Sequence, residues 1–538
     1  MSLAKRNPGL TGLLPNGPVM TIVSGNVADM IGPVQQNKPK LFHYGVNLDQ
    51  RVRNNNPLRA IKRMVQFGFV RARVAEFYGK DGHQSEDPIV IMKLMLLLFL
   101  DDVASERELM RIVAERLDYL WFLDFDLDDE VPNHSVLSKA RQRWGEDIFE
   151  ELFVQTVRQC VEAGLVDGEK LHMDGSLIDA NASNDSIRTG PAALIEKLRQ
   201  AYRGQAEKLD DEEDEDGGER RHKRATTHVS ETDPDAALAR KTGADPARLR
   251  YKNHRAVDDQ CGVITAVETT AADVMENQRL VALVEQHERN TGETVRTVVA
   301  DTQYGTNENF AVCQERHIRS HMKDLRATYR NDAAKRGIFK ETDFRYDEEA
   351  ESYICPAGQS LKRATNLDRG FYIFRSNPKI CQQCPLRSQC MKSKRHIRTL
   401  KRHVAHEAIE RGRKESRSGW ARRDRRRRKH LMEGSFAAAT NQHGFKRARW
   451  RRLHNQRIQD LLIAACQNIL ILTTVERRRQ AVAAAMASPP LLSALPPREN
   501  RTFGLDDGPL SWRSGSRRPI RSSGPGRRTN NGNLNNQG

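Results

Sequence analysis

Apolar positions recur at helical spacing from about residue 57 to 165, give way to short β-branched runs, and return to helical spacing from about 420 to 475. Residues 1–56 are rich in Gly, Pro and Asn without a clear period and are expected to form an irregular N-terminal segment. In the first helical stretch, Asp87-Pro88 sets a capping acid before a proline at a first helical position, and Ser105-x-x-Glu108 has capping-box spacing. Two helix starts are predicted there. The most apolar run, Ile89–Leu100, is interrupted by Lys93 and falls short of the roughly 20 residues that span a bilayer, so it predicts a buried helix. Val131-Pro-Asn-His-Ser135 forms a turn whose Ser135 is expected to cap the helix Val136–Trp144. That helix carries Lys139, Arg141 and Arg143 and suits either a DNA-reading helix-turn-helix or plain bundle packing.

The pattern changes at Leu171-His-Met-Asp-Gly-Ser176, where period two sends Leu171 and Met173 to one face and His172 and Asp174 to the other. It breaks at about residue 184. Residues 185–250 are charged and nearly free of aromatics, with an acidic run at Asp210–Asp216 answered by Arg220–Arg224, and predict an insertion or flexible excursion. His254–Val257 and Gly262–Glu268 have strand character, and Asp258–Gly262 between them supplies the turn of a hairpin. A helix is expected from about Asn277 to Glu288, with Leu280, Leu283 and Val284 on one stripe, and then a buried strand, Thr294–Ala300, that ends at Asp301. Residues 324–400 interrupt this domain with a cysteine cluster, and residues 476–538, rich in Pro, Ser, Arg and Asn, predict a disordered tail.

A chain of 538 residues exceeds what one core usually serves, and 38% hydrophobic residues still permit a buried interior. Residues 391–460 hold 23 Lys and Arg against 6 Asp and Glu, an excess equal to the formal net charge of +17 of the whole chain. Such concentration suits a phosphate backbone, or else a solvated basic face. Met1–Gly17 lacks the apolar stretch of a signal peptide, so a cytoplasmic, nucleoid-associated protein without a membrane is expected. Eight cysteines in such a chain argue against a disulfide framework. Cys355, Cys381, Cys384 and Cys390 are enough for a tetrahedral structural zinc site, or are simply reduced thiols; Cys160, Cys261, Cys313 and Cys466 are expected to be core thiols.

Asp174 lies inside an apolar-flanked strand and Asp301 at the carboxyl end of another, the edge where ligands of open α/β sheets collect. Phosphodiester cleavage asks for stabilised charge on both attacking and leaving oxygens, which two divalent ions about 3.5 to 4 Å apart supply. Carboxylates bind magnesium or manganese for that purpose.

Several segments, in order, resemble blocks of bacterial cut-and-paste DDE transposases. Leu171–Ser183 resembles the first catalytic block; Ser230–Ala236, Tyr251–His254 and Ala300–Gly305 are similar to later ones, and Ser105–Leu109 and Trp121–Asp124 to the helical region ahead. The similarity runs over about residues 57–475. It implies an α/β, ribonuclease H-like mixed-sheet catalytic core (166–323 and 401–475), an N-terminal helical domain (57–165) and a cysteine-rich, zinc-ribbon-like insertion (324–400). Asp174 and Asp301 would bind magnesium or manganese, with a glutamate on a later helix. Glu433 fits that place, because Glu433-Gly-Ser-Phe436 followed by His443-Gly444 matches the family's helix. The family's tyrosine, arginine and lysine around the glutamate are replaced here by Arg426, Lys429 and Thr440, and Glu410 and Glu415 are alternatives. Asp179 and Asp258 are expected in folding or supporting roles, and Tyr304 in turn packing.

Arg422, Arg423, Arg425, Arg426, Arg427, Arg428 and Lys429 would line the approach of double-stranded DNA to Glu433, and Trp420 and Trp450 would stack on bases or fill the core. Cleavage at the ends of an insertion sequence and strand transfer to target DNA by a homodimer are the activity implied. A catalytically inactive, transposase-derived DNA-binding protein or repressor is the alternative, and a zinc-stabilised RNA-processing nuclease a third reading.

Overall fold

The computed structural model describes residues 46–78, 85–207, 227–241, 244–325, 337–368, 370–392 and 396–487. The first 45 residues, the charged runs at 210–216 and 220–224, and the tail beyond 487 lie outside the described residues, as do the expectations made for them. Residues 1–482 form one compact unit and 483–538 another, of which only the end of the last helix is described.

The helix Pro88–Leu100 starts as its sequence dictates: the Asp87 side chain accepts the Ile89 N–H at 3.0 Å, and proline fills the first position. Being apolar on all sides, it is buried on all sides, and Lys93 is buried with it. Ser105 likewise caps the helix Glu106–Glu115 by accepting the Glu108 N–H at 3.1 Å. Ser135 does not cap: it is the first residue of the helix Ser135–Trp144, and the side chain of Asn133 accepts its N–H at 3.0 Å instead. On that helix Lys139 and Arg143 are exposed, whereas Arg141 turns inward to pair with Glu106 and stack on the Trp450 ring, 3.7 Å from its centroid.

The central sheet is mixed and has six strands. β1 (Lys170–Asp179) lies between β5 (Arg248–Asp258), antiparallel to it, and β7 (Thr297–Val299), parallel to it. β5 pairs along its other edge with β4 (Ala237–Ala239) and β6 (Ile264–Ala271), and β8 (Arg319–Ser320) follows β7. The β5–β6 hairpin turns at Gly262, whose φ of +76° favours a residue without Cβ, and the adjacent Cys261 is exposed, not in the core. After β6 the expected helix is split: a 3-10 turn, Glu276–Arg279, precedes the helix Leu280–Thr291.

The segment 185–250 is more than a loop. β2 (Ile187–Thr189) pairs with β3 (His228–Ser230), and a helix spans Ala192–Glu207. Polarity alone misleads here, because the charged side chains anchor the segment to the core: Asp233 accepts from the Tyr251 hydroxyl, and Asp235 pairs with Arg203 and Arg452.

The cysteine-bearing region forms a separate five-stranded antiparallel sheet: β9 (Arg345–Asp347), β10 (Ser352–Ile354), β11 (Ser360–Asp368), β12 (Phe371–Arg375) and β13 (Thr399–His403), in that spatial order. Its small core is Phe344, Tyr353, Leu361, Phe374 and Leu400.

Three helices follow, His406–Ser416, the basic Gly419–His443 and Leu453–Ala487. The stretch Leu453–Gln480 is long and apolar enough to cross a membrane, yet 78% of its apolar window is buried inside the protein. Its buried polar residues bond the sheet: Asn468 both accepts from the Ile264 N–H (2.9 Å) and donates to the Ile264 carbonyl (2.8 Å). This helix, the N-terminal helices and β5 share one continuous core.

Candidate active site

β1 and β7 bring the two aspartates together by register. Their last parallel pair is His172 with Val299, and Asp174 and Asp301 each lie two residues further along. Both strands are held by apolar packing, with Leu171, Met173, Val298 and Ala300 fully buried in one cluster. Asp301 then starts a turn by accepting the Gln303 N–H at 2.8 Å. The turn ends at Gly305, where a Cβ would lie 1.7 Å from the Lys323 carbonyl oxygen, so glycine is required for that close approach.

A third acid joins them that the sequence did not single out. Asp174, Asp301 and Glu276 each offer a carboxylate oxygen, all within 4.8 Å of one another. Glu276 opens the 3-10 turn after β6 and reaches over the backbone of β1 at Gly175, where a Cβ would come within 2.9 Å of its carboxyl group. Asn309 fixes this arrangement by donating from its amide to the carbonyls of Asn277 (3.0 Å) and Tyr304 (2.9 Å). A lone glutamate in a turn gives no periodic signal; Gly175, in the middle of a strand, is the only hint.

Burial dominates the electrostatics. It pushes the Glu276 carboxyl up to about 7, Lys252 at 3.8 Å opposing and the two aspartates assisting. It also raises Asp174, which Arg428 opposes by donating to its carboxylate at 2.7 Å. Tyr304 is fully buried, its hydroxyl has no hydrogen-bond partner among the described residues, and burial and the three carboxylates hold it well above its ordinary range.

Glu433 projects from the basic helix with its side chain 66% exposed, 3.9 Å from Lys429, while Phe436 packs partly into the core with Phe445. Of the alternatives, Glu410 pairs with Arg413 and Glu415 accepts from Gln314. Asp179 pairs with Arg250, and Asp258 accepts the Gly168 and Gln260 N–H groups. The cations of the helix divide: Arg425 donates to the Ser416 carbonyl, Arg427 pairs with Asp259 and Arg428 with Asp174, while Arg422, Arg423, Arg426 and Lys429 are exposed. Trp420 is 68% exposed under the Arg423 guanidinium, and Trp450 packs against Phe99 in the core.

The four cysteines of the second sheet line one cavity, and Cys355 Sγ accepts the Gln359 N–H at 3.3 Å. Among the described residues, however, the acidic trio is the sole group of three or more candidate ligands that closes to 4.8 Å.

Residues 46–143 match the family model described as Transposase domain (DUF772), and residues 354–473 match Transposase DDE domain. The second match covers the four cysteines, β11 to β13 of their sheet and the basic helix with Glu433. No curated protein matches the chain. A match to a transposase domain near the N-terminus and a match to a DDE domain further along the same chain together support an insertion-sequence DDE transposase.

Proposed function

We propose that this transposase cuts DNA at the ends of an insertion sequence and joins the freed 3′-OH groups to target DNA, with Asp174 and Asp301 at the reacting phosphate. The observation that carries the reading is the meeting of these two aspartates where β7 ends beside the middle of the parallel strand β1. Three antiparallel strands followed by a helix and a parallel strand also suit a ribonuclease H-like core.

The donor set fits a hard divalent ion: carboxylate oxygens alone converge, and no thiol or imidazole belongs to the trio. Asp174 and Asp301 would hold magnesium or manganese, and the family resemblance adds Glu433 from the basic helix. When bound, such ions neutralise charge on the attacking and leaving oxygens of an in-line displacement.

The chain's own residues do the rest. Arg428 fixes the Asp174 carboxylate, and the Asp301 turn aims the second one. Exposed Arg422, Arg423, Arg426 and Lys429 hold the phosphate backbone, with Lys139 and Arg143 as further contacts on the N-terminal helix. A groove that starts at Glu276 is lined by Lys241, Arg248, Arg250 and Lys446 together with Asp179 and Asp245. Trp420 offers a ring face to an unpaired base at the DNA end. Tyr304 is sealed from solvent, so no covalent tyrosine intermediate is formed. Both displacements use one site, and holding two ends calls for a homodimer on DNA in the cytoplasm. The inactive repressor has less support because both aspartates are present and together, and the RNA nuclease because both family matches are to transposase domains.

The test is cleavage of labelled element ends by purified protein. Wild type is expected to release 3′-OH ends in magnesium and not in calcium, and Asp174→Asn and Asp301→Asn to bind DNA without cutting. Uncut DNA with wild type would favour the repressor; cleavage by either Asn variant would refute the assignment.

A further inference from the structure

Resting on the reading above, we infer that Glu276 is a further metal-holding carboxylate of this active site, contributed by the turn after β6. Three observations support it. First, its carboxylate reaches the two aspartates to within 4.8 Å, whereas the Glu433 side chain is 66% exposed beside Lys429. Second, the local structure is shaped to admit it: the strand has glycine where any side chain would collide with the Glu276 carboxyl, and Asn309 ties the Glu276 turn to the Tyr304 turn. Third, the Tyr304 hydroxyl, in the turn that Asn309 ties to the Glu276 turn, is fully buried with no hydrogen-bond partner among the described residues. An orphaned buried hydroxyl is costly unless a ligand or its hydration shell completes it.

Charge points the same way. Three carboxylates face two protein cations, Arg428 at 2.7 Å from Asp174 and Lys252 at 3.8 Å from Glu276. Asp301 has no ion pair among the described residues, so the trio carries an unbalanced negative charge that a hard cation of class magnesium or manganese neutralises. Tyr304 then stands as a positioning residue whose buried phenol lies in the field of all three carboxylates.

The experiment measures ion binding to the full-length, DNA-free protein, independently of turnover. Manganese binding is followed by electron paramagnetic resonance, and terbium by tyrosine-sensitised luminescence. Glu276→Gln is expected to weaken manganese binding roughly tenfold or more, as Asp301→Asn does, and to abolish the rise in melting temperature that manganese gives wild type. Without ion, Glu276→Gln is expected to melt no lower than wild type, because it relieves repulsion among like charges; a residue with only a structural role would lower it. Gly175→Ala, which leaves every carboxylate in place but crowds Glu276, is expected to weaken manganese in the same direction, and Tyr304→Phe to lower terbium emission. If Glu276→Gln binds manganese as wild type does while Asp301→Asn does not, the inference about Glu276 is overturned and the active-site reading stands. If Asp174→Asn and Asp301→Asn also bind as wild type, the active-site reading itself fails.

Discussion

Lys93 is buried in the middle of an apolar helix because one neighbouring turn supplies both its partners, the Phe122 carbonyl at 2.9 Å and the Asp124 carboxylate at 2.8 Å. Asp124 ends its own helix at φ +64°, and that left-handed cap points the carboxylate inward to Lys93 and Lys62. Asp124→Ala should therefore cost about 3 kcal/mol, the low end for breaking a buried pair because Asp124 is 34% exposed. Lys93→Met, which fills the same space without a charge, should cost less; denaturant titration ranks the two. Asp460 supplies a second prediction. It is fully buried, accepts from Asn253, Thr269 and Gln456, and burial pushes its carboxyl up to about 6. The folded chain thus binds this proton more tightly than the unfolded chain, whose aspartates titrate near about 3.9, so the group's contribution falls as pH rises from about 4 through 6. Asp233 and Asp258, also near 6, act in the same sense. Asp460→Asn should flatten the slope of unfolding free energy between pH 4 and 6, and an unchanged slope would show that Asp460 does not titrate there. At this scale Asp174 and Asp301 were legible as candidates, since an acid flanked by β-branched and apolar residues is visible as an exception. Glu276 was hidden, because its partners come from two other strands and nothing in Met275-Glu-Asn-Gln278 marks it.

Among the elements, the helix Gly419–His443 shows how far a charge run can mislead. Seven cations in eight positions suggest one DNA-binding face, but helical geometry distributes them around the axis, and Arg425, Arg427 and Arg428 serve the protein's own acids and carbonyls. Replacing Arg422 and Arg426 by Ala should weaken DNA binding at every sequence alike and lower the salt slope by about one for each phosphate no longer neutralised, as measured by anisotropy at several salt concentrations. Arg427→Ala should change that slope less and lower the melting temperature instead, since it leaves Asp259 to His172 and Lys170. The sheet β9–β13 has a core of only five buried residues, a reason for a stapling zinc at the cysteine-lined cavity. Purified protein is expected to carry one zinc per chain, and Cys381→Ser with Cys384→Ser to lose it together with the near-ultraviolet signal of Tyr346, Tyr353 and Tyr372. Full retention of that signal in metal-free protein would contradict the zinc.

Over the whole molecule, periodicity foretold the succession of elements, and pairing decided what they build. Helix starts at Asp87 and Ser105 and the strands around Asp174 and Val298 were legible, because caps and alternation are local. The union of the N-terminal helices, the Leu453–Ala487 helix and β5 in one core was not, because it depends on side chains that meet from hundreds of residues apart, such as Asn253 with Asp460 and Phe99 with Trp450. A second apolar cluster, with Leu171, Met173, Val298 and Ala300, packs β1 against β7, and their register is what joins the two aspartates. The most direct measurement is anomalous diffraction from crystals of the protein soaked in manganese. The account predicts a peak bonded to both Asp174 and Asp301; manganese bound elsewhere, with these two carboxylates turned apart, would contradict it.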